Sequence, residues 1–304
     1  MLLSVVHETA FAYASKVKTA QHMAHLKPLQ TMHQRLLSHR LAIDPAPAQT
    51  GEAIDVYGNT RAFFSLQSDH EKLKVVAESV VQTHAPTPAE SAITWEQARE
   101  RLRYHRTAAY DPATEFTFAS SYVPRHDAFI DYARPSFAAG RPHMAAAQDL
   151  MTRIHADFSY QSDATDITTP ALKALEMRKG VCQDFAHIML GCLRSLGLPA
   201  RYVSGYLLTS PPPGRARLIG GDASHAWVSV YVPGEDGPGM WTDLDPTNNR
   251  RPGEDYVTLA RGRDYGDVSP LRGVIHGGAK HTLRVAVTVS PLAAPPQAEP
   301  ARLR

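Results

Sequence analysis

The feature that most constrains this chain is one amphipathic segment that begins at a cysteine. From Cys182 onward, apolar residues recur at the three- and four-residue spacing of a single helical face. The members of that face are Phe185, Ile188, Met189, Cys192, Leu193 and Leu196. Gly197-Leu198-Pro199 is a stop signal for the helix. Because such a stripe must be covered, the pattern predicts a buried helix packed on another layer, with Cys182 pointing toward it.

Cys182 lies in the first turn of this helix, where backbone N–H groups lack helical partners and the dipole is positive. Both effects favour the thiolate, which is the nucleophilic form of cysteine. The same N–H groups can receive negative charge that develops on a substrate oxygen. Cys182 is therefore a candidate nucleophile, weighed against the structural role that most intracellular cysteines have. Cys192 lies in the middle of the stripe and is predicted to be a small core residue.

Composition excludes several classes of function. The 304 residues carry a net charge of +2 and contain no run of Lys or Arg, which argues against a nucleic-acid partner. No apolar run reaches the roughly 18 residues of a membrane span, and Met1–Glu8 lacks the basic start of a signal peptide. The two cysteines are about 15 Å apart on one helix, too far for a disulfide. We therefore expect a cytoplasmic protein without disulfides.

The length suggests one large domain or two ordinary ones. Residues 1–83 are predicted to be a β-rich domain, in which Gly58-Asn59 is the turn of a hairpin. A linker-like break at 84–88 follows, and residues 84–290 form the second predicted domain. Residues 291–304 are rich in Pro and Ala and are predicted to be a disordered tail.

The second domain is predicted to be of the α+β class. Its expected helices are 94–104, which opens on a capping box, Asp127–Ala133, Met144–Phe158, a helix from Pro170 to near Gly180, and the cysteine helix. Its expected strands are Ala200–Leu208, His225–Val232, Met240–Asp245, Asp255–Ala260 and His281–Ser290.

Two residues close to Cys182 in the sequence are poorly placed to act with it. At about 100° per residue, His187 lies about 140° around the helix from Cys182, which predicts a structural or hydrogen-bonding histidine. Asp184 is predicted to stabilise the helix start. The better candidate for a general base is His225. Strand alternation places it beside Trp227 on the less apolar face of its strand.

An imidazole base is usually oriented by a third group, and two carboxylates share a face of the following strand. If the hairpin pairs Val232 with Met240, Asp245 falls diagonal to His225, roughly 7 Å away between Cα atoms. Asp243 falls one step farther along. Asp245 is therefore preferred on this register, and a bulge in the hairpin would overturn that preference.

These residues lie in blocks that resemble the bacterial transglutaminase-like family. The three main blocks are Gly-Val-Cys-Gln-Asp-Phe-Ala-His at 180–187, Asp-Ala-Ser-His-Ala-Trp at 222–227 and Asp-Pro-Thr-Asn at 245–248. The connecting segment 193–206 and the block at 262–268 are also similar, and the β-rich region resembles the family's accessory N-terminal domain. The resemblance implies a papain-like α+β fold in which a helix bearing the cysteine packs on an antiparallel sheet. It also implies a catalytic triad of Cys182, His225 and Asp245.

The resemblance also has gaps. Animal transglutaminases have a tryptophan upstream of the cysteine that helps to stabilise the oxyanion, and this chain has none between Trp95 and Cys182. The second oxyanion donor is therefore left unassigned, and Tyr160 and Trp227 are predicted to contact the substrate. No counterpart of the animal calcium site is visible. We expect no metal and no cofactor, and the sequence indicates no oligomeric state.

The activity expected from the resemblance is acyl transfer on amide bonds through a thioester. With water as acceptor the protein would be an amidase or peptidase, and with a lysine-like amine it would be a transamidase. The expected partner is a peptide or protein that carries a glutamine-type or peptide amide. Two alternatives stay open: a non-catalytic binding module with the same fold, and a zinc-dependent hydrolase that uses Cys182, His225 and Asp245 as ligands.

Overall fold

The structure, a computed structural model, describes residues 1–87, 91–103, 106, 110–209, 224–234 and 237–293. The strands in these ranges are β1 Leu2–Ala24, β2 Gln34–Asp44, β3 Gln49–Ile54, β4 Thr60–Leu66, β5 His70–Thr83, β6 Ser159–Tyr160, β7 Lys179–Gly180, β8 Ala200–Leu207, β9 Ser224–Val232, β10 Met240–Leu244, β11 Tyr256–Gly262, β12 Leu271–Gly277 and β13 His281–Pro291. The helices are α1 Trp95–Arg101, α2 Asp127–Ala133, α3 His143–Asp157, α4 Ala171–Met177, α5 Cys182–Ser195 and α6 Tyr265–Val268, with a 3₁₀ helix at Pro112–Thr117.

The first sheet is built around one long strand. β1 has 23 residues and lies in the middle of the strand order β2-β5-β1-β4-β3. Its first half pairs with β5 and β13, and its second half pairs with β4 and β12. The register shifts between Ala12 and Val17, where one set of partners gives way to the other. A bulge of this kind lets a strand bend, so β1 serves two halves of one curled sheet.

The strand pairing corrects the predicted division of the chain in one respect. Strand β13 lies where the sequence predicts a strand, but it joins the first sheet rather than the second domain. Strand β12, which the sequence analysis missed, also pairs with β1. Alternation reveals that a segment is extended, but not which edge it will pair with. Most of the predicted tail, residues 294–304, lies outside the described residues.

The second sheet is antiparallel, in the order β10-β9-β8-β11. Ala226, Val228 and Val230 of β9 are buried in the same core cluster as the apolar stripe of α5. Helix α5 is buried along nearly its whole length because α2, α3 and α4 also pack on it. The sequence predicts that another layer packs on the cysteine helix. In the structure this layer is a sheet on one side of α5 and helices on its other sides.

The first sheet is joined to the edge strand β11 by two side-chain amides. Gln34 donates to the carbonyl of Thr258 (2.8 Å) and accepts from its N–H (2.7 Å). Asn59, in the predicted hairpin turn, makes the same pair of bonds with Arg261, both at 2.7 Å. Each amide acts as one residue of a neighbouring strand would, so the exposed edge of β11 is satisfied.

Among the described helices, none has the length and apolar character needed to cross a lipid bilayer.

Candidate active site

Asp184 holds the start of the cysteine helix in place. One carboxylate oxygen accepts hydrogen bonds from the Val181 N–H (2.8 Å) and the Thr165 hydroxyl (2.7 Å). The approach is so close that a Cβ at Gly180 would lie 2.4 Å from this oxygen, which explains the glycine. The helix-stabilising role predicted for Asp184 is confirmed.

The two cysteines of α5 have different surroundings. Cys192 is fully buried in the core, and burial raises the pKa of its thiol. Cys182 is partly exposed at the first turn. Within the described residues, its backbone N–H donates to no protein group. A substrate oxygen beside the sulfur could therefore accept a hydrogen bond from this amide.

His225 lies between Cys182 and Asp245. Its Nε2 is 2.7 Å from Oδ2 of Asp245, which leaves Nδ1 as the ring nitrogen available to Cys182. Burial alone lowers the pKa of this imidazole. The hydrogen bonds and negative charges of Asp245 and Cys182 outweigh burial and raise the pKa to about 10. The imidazolium form is therefore the stable one at neutral pH.

Asp245 is fully buried, and all of its accepting capacity is used. Oδ1 accepts from the backbone N–H groups of Thr247 (2.9 Å) and Asn248 (3.2 Å). Oδ2 accepts from His225, from the Asn248 side chain and from the Tyr256 hydroxyl, each at 2.7 Å. Burial raises the pKa of this carboxyl, but these donors, His225 foremost, lower it overall. The group is thus a buried carboxylate with a fixed orientation.

Two groups around Asp245 were not identified from the sequence. Tyr256 donates to Asp245 while its own oxygen accepts from Nε of Arg250 (3.1 Å). Asn248 belongs to the Asp-Pro-Thr-Asn block at 245–248, but the sequence predicts no role for it. Its amide nitrogen also lies 3.3 Å from Nε2 of His225. A tyrosine at the start of a strand carries no local signal of such a role, because its partner depends on sheet pairing.

The predicted register of the hairpin is confirmed, since Met240 pairs with Val232 and Asp243 with Ser229. Asp243 does not reach His225. Its Oδ2 instead accepts a hydrogen bond from the indole nitrogen of Trp227 (3.0 Å). Of the two carboxylates considered, the structure brings only Asp245 to the imidazole.

Trp227 does not occupy the position predicted for a substrate contact. Its side chain is fully buried, in a cluster with Val203 and Tyr256. A Cβ at Gly205 would lie 2.4 Å from the indole ring, so this glycine makes room for it. Alternation correctly placed Trp227 on the face of His225, but that face is covered here. Trp227 therefore packs in the core beside the site and is not accessible to a substrate.

Tyr160 is an exposed side chain close to Cys182. Strands β6 and β7 form a short parallel pair that sets Tyr160 beside Gly180, two residues before the cysteine. The side chain is 57% exposed, and burial, with the charges of Cys182 and Asp184, raises the pKa of its hydroxyl. The predicted contact of Tyr160 with a substrate is compatible with this position and stays a prediction.

His187 is a structural residue, as its helical position predicted. It is buried between the rings of Tyr122 and Tyr202, with centroids 5.5 and 5.1 Å away. Its Nε2 accepts from the Tyr265 N–H (3.2 Å), and Nδ1 has no partner among the described residues. Burial lowers the pKa of His187 to about 3, so the ring is neutral.

Comparisons with known proteins agree with this architecture. The profile of the bacterial transglutaminase-like N-terminal region matches residues 3–82, and that of the transglutaminase-like superfamily matches residues 130–246. An uncharacterized protein of Mycobacterium tuberculosis is 41% identical over 94% of this chain and 92% of its own length. A Mycobacterium leprae protein is 32% identical over 96% and 99%. The chain therefore belongs to the bacterial transglutaminase-like family.

A solved structure shares the fold across the whole chain. The crystal structure of a proposed cysteine protease from Cytophaga hutchinsonii superposes with a TM-score of 0.73. It covers 97% of this chain and 92% of that one at 20% identity, a level at which only the fold is shared with certainty. The α+β class and the transglutaminase-like core with a β-rich N-terminal region are thus confirmed.

Proposed function

We propose that the protein is a cysteine-dependent acyl-transfer enzyme in which Cys182 is the nucleophile, His225 the general acid and base, and Asp245 the orienting carboxylate. The observation that carries this proposal is the position of His225, whose Nε2 is hydrogen-bonded to Asp245 and whose pKa is raised by Asp245 and the neighbouring Cys182. Transglutaminase-like proteins act on protein or peptide substrates.

The chemistry follows from the protonation states. The Cys182 thiolate attacks the carbonyl carbon of an amide, and the new oxyanion accepts a hydrogen bond from the Cys182 N–H. The C–N bond breaks as His225 transfers its proton to the departing amine or ammonia. Water or an amine then attacks the thioester while His225 removes its proton, and the C–S bond breaks. Asp245 keeps the ring oriented and stabilises its charge throughout.

The choice between hydrolysis and transamidation depends on the acceptor. The Pseudomonas aeruginosa protein-glutamine gamma-glutamyltransferase is 28% identical over 60% of this chain, which spans 27% of that enzyme. This relationship supports a glutamine-type carboxamide as the donor. We propose that the exposed ring of Tyr160 borders the site that such a side chain enters. The cytoplasmic location expected from the sequence stays a prediction, which cell fractionation would test.

The zinc alternative is weakened by the environment of Asp245. Five protein donors already occupy its two oxygens, so binding a metal ion would break hydrogen bonds inside a buried site. The alternative of a non-catalytic module is weakened because Cys182, His225 and Asp245 are all present, with His225 bonded to Asp245 and influenced by Cys182.

Alkylation by iodoacetamide at mildly acidic pH tests the activated pair. We expect Cys182 to react faster than glutathione, because the imidazolium of His225 stabilises the thiolate. The variant Cys182→Ala should lose this reaction, His225→Gln should react like an ordinary thiol, and Cys192→Ala should behave as wild type. A Cys182 no more reactive than glutathione would contradict the proposal.

Trapping the acyl-enzyme from cell extract would identify the donor. Mass spectrometry should find an acyl group on Cys182 that disappears in Cys182→Ala and persists in Cys192→Ala. A reactive Cys182 that never carries an acyl group would favour the binding module instead.

A further inference from the structure

A second polar cluster lies farther along the face of the sheet that carries His225 and Trp227. Arg201 of β8 pairs directly with Ser229 of β9, and Ser229 pairs directly with Asp243 of β10. Directly paired residues point to the same face of a sheet, so these three side chains form a row across it. Arg261 of β11 pairs with Val203, which alternation places on the same face as Arg201. Two arginines, a serine and one carboxylate therefore meet here.

The donors of this cluster lack acceptors. Ser229 is fully buried, and its hydroxyl has no hydrogen-bond partner within the described residues. The same holds for the buried Nε of Arg201 and that of Arg261. The indole of Trp241 packs against Arg201 with 4.0 Å between the guanidinium carbon and the ring centroid. This contact covers one face of the guanidinium, and the Nε–H in its plane has no acceptor among the described residues.

The charge in the cluster is also unbalanced. Two guanidinium groups, those of Arg201 and Arg261, face one carboxylate, that of Asp243. Among the ion pairs of the described residues, neither guanidinium is paired with this carboxylate. Asp243 is already engaged by the indole N–H of Trp227. Burial lowers the pKa of Arg201, and the nearby charge of Arg261 lowers it further. A guanidinium nevertheless stays protonated in proteins, so the cluster keeps an excess positive charge.

We propose that Arg201 and Arg261 form a binding site for a small oxyanion, of the carboxylate or phosphate class. Both arginines are only partly buried, and their terminal guanidinium nitrogens are not among the buried unpaired atoms, so a ligand can reach these ends from the surface. The two guanidinium groups can donate hydrogen bonds to such an oxyanion, and one bound anion balances the excess charge. Ser229 is fully buried, so its hydroxyl does not contact the ligand.

The site is separate from the acyl-transfer centre. Ser229 is four residues beyond His225 on β9, which corresponds to about 13 Å along the strand. The buried side chain of Trp227 lies between the two positions on the same face. The proposed site does not include Cys182, so a test of anion binding does not depend on the catalytic role of that residue.

Tryptophan fluorescence offers a direct test, because Trp241 packs on Arg201. The full-length protein would be titrated at low ionic strength with inorganic phosphate and, separately, with glutarate. We expect a saturable change with a Kd on the order of 1 mM for at least one of the two anions. The tighter of the two identifies the ligand as a phosphate or a carboxylate.

Variants assign the binding to this cluster. Arg201→Gln and Arg261→Gln should each weaken binding at least about tenfold. Arg40→Gln is the matched control because Arg40 is a well-exposed arginine of the first sheet, and it should bind as wild type. Binding that is unchanged in Arg261→Gln, or the absence of saturable binding by either anion, would overturn the proposal.

Two further variants keep the test decisive if a glutamine variant folds poorly. Ser229→Ala should keep the fold and bind as wild type, since the buried hydroxyl does not contact the ligand. Arg261→Met should unfold at a higher temperature than wild type in the absence of anion, because it removes a partly buried charge with an unpaired Nε, and should gain nothing from added phosphate or glutarate. A purely structural role for Arg261 would instead lower the unfolding temperature.

Discussion

Two buried histidines near the cysteine helix have opposite properties. His225 has a pKa raised to about 10, and His187 has one lowered to about 3. Burial acts on both rings in the same direction, since it disfavours the charged form. The difference lies in their partners. His225 contacts the carboxylate of Asp245, whereas His187 lies between two aromatic rings and accepts a hydrogen bond from a backbone N–H.

The comparison shows that distance along the chain is a poor guide to function in this site. His187 is five residues from Cys182 and on the same helix, yet it serves the core. His225 comes from another element and is held by a buried carboxylate. What distinguishes the proposed general base from the core histidine is a buried negative charge within hydrogen-bond distance.

The largest effect should separate the two histidines directly. His225→Gln should lower kcat/KM for acyl transfer by at least about 10³-fold, since it removes the proton-transfer group. His187→Gln should leave kcat/KM within about tenfold of wild type, because glutamine can still accept from the Tyr265 N–H. Steady-state kinetics of both variants would measure this, and equal losses would contradict the assignment.

The second-largest effect should come from removing the carboxylate of Asp245. Asp245→Asn should lower kcat/KM by about 10²- to 10⁴-fold. The wild-type rate should fall as pH rises through about 10, where His225 loses its proton. Asp245→Asn removes the main group that raises the pKa of His225, so this alkaline decline should move to lower pH. A pH–rate profile with an unchanged alkaline limb would show that Asp245 does not set the charge of His225.

The neutral state of His187 should affect the free energy of unfolding rather than the rate of acyl transfer. The folded-state pKa of His187 is about 3, well below the value near 6.5 of the unfolded chain. When pH falls below about 6.5 the unfolded state binds the proton first, so the free energy of unfolding decreases. His187 alone should contribute a loss of about 1.6 kcal/mol between pH 6.5 and 5.

Urea unfolding at a series of pH values would measure this loss. His187→Gln should show a shallower decrease over the same range, because glutamine does not titrate. An equally steep decrease in the variant would place the acid sensitivity on other groups, such as the buried His7, His22 and His143, whose pKa values burial lowers to about 4.

The smallest effect should come from the Tyr256 hydroxyl, which donates a hydrogen bond to Asp245. Tyr256→Phe removes one of three donors to Oδ2 of Asp245, which should cost about 1 kcal/mol and lower kcat/KM less than tenfold. Because this donor favours the carboxylate form, the acid limb of the pH–rate profile should also move to higher pH. Tyr132→Phe is the matched control, because that hydroxyl donates to Asp157 and not to Asp245.

Much of the local structure was predictable because it depends on neighbours in the sequence. The capping box at Thr94 opens α1, and the turn at Gly58-Asn59 joins β3 to β4. The stripe of α5 is buried as its spacing requires. The hairpin register that favoured Asp245 over Asp243 is the observed one. Each of these features is determined over a few residues, by capping, turn chemistry or periodicity.

The errors share a different origin. Strand β12 was missed and β13 was assigned to the wrong sheet, because pairing with β1 brings together residues that are 247 to 288 positions apart. Trp227 was expected to be open to substrate, since alternation gives the face of a side chain but not what covers that face. Tyr256 and the arginines of the proposed anion site carried no local signal for the same reason.

The sequence by itself therefore determined the family, the cysteine at a helix start and the residues that could act with it. Those conclusions rest on residue type and on periodicities that span a single turn of helix or a pair of strands. Only the tertiary structure decided which histidine is charged and which tryptophan is buried. Protonation and burial depend on groups that folding brings together from distant parts of the chain, and the free energies involved belong to that three-dimensional environment.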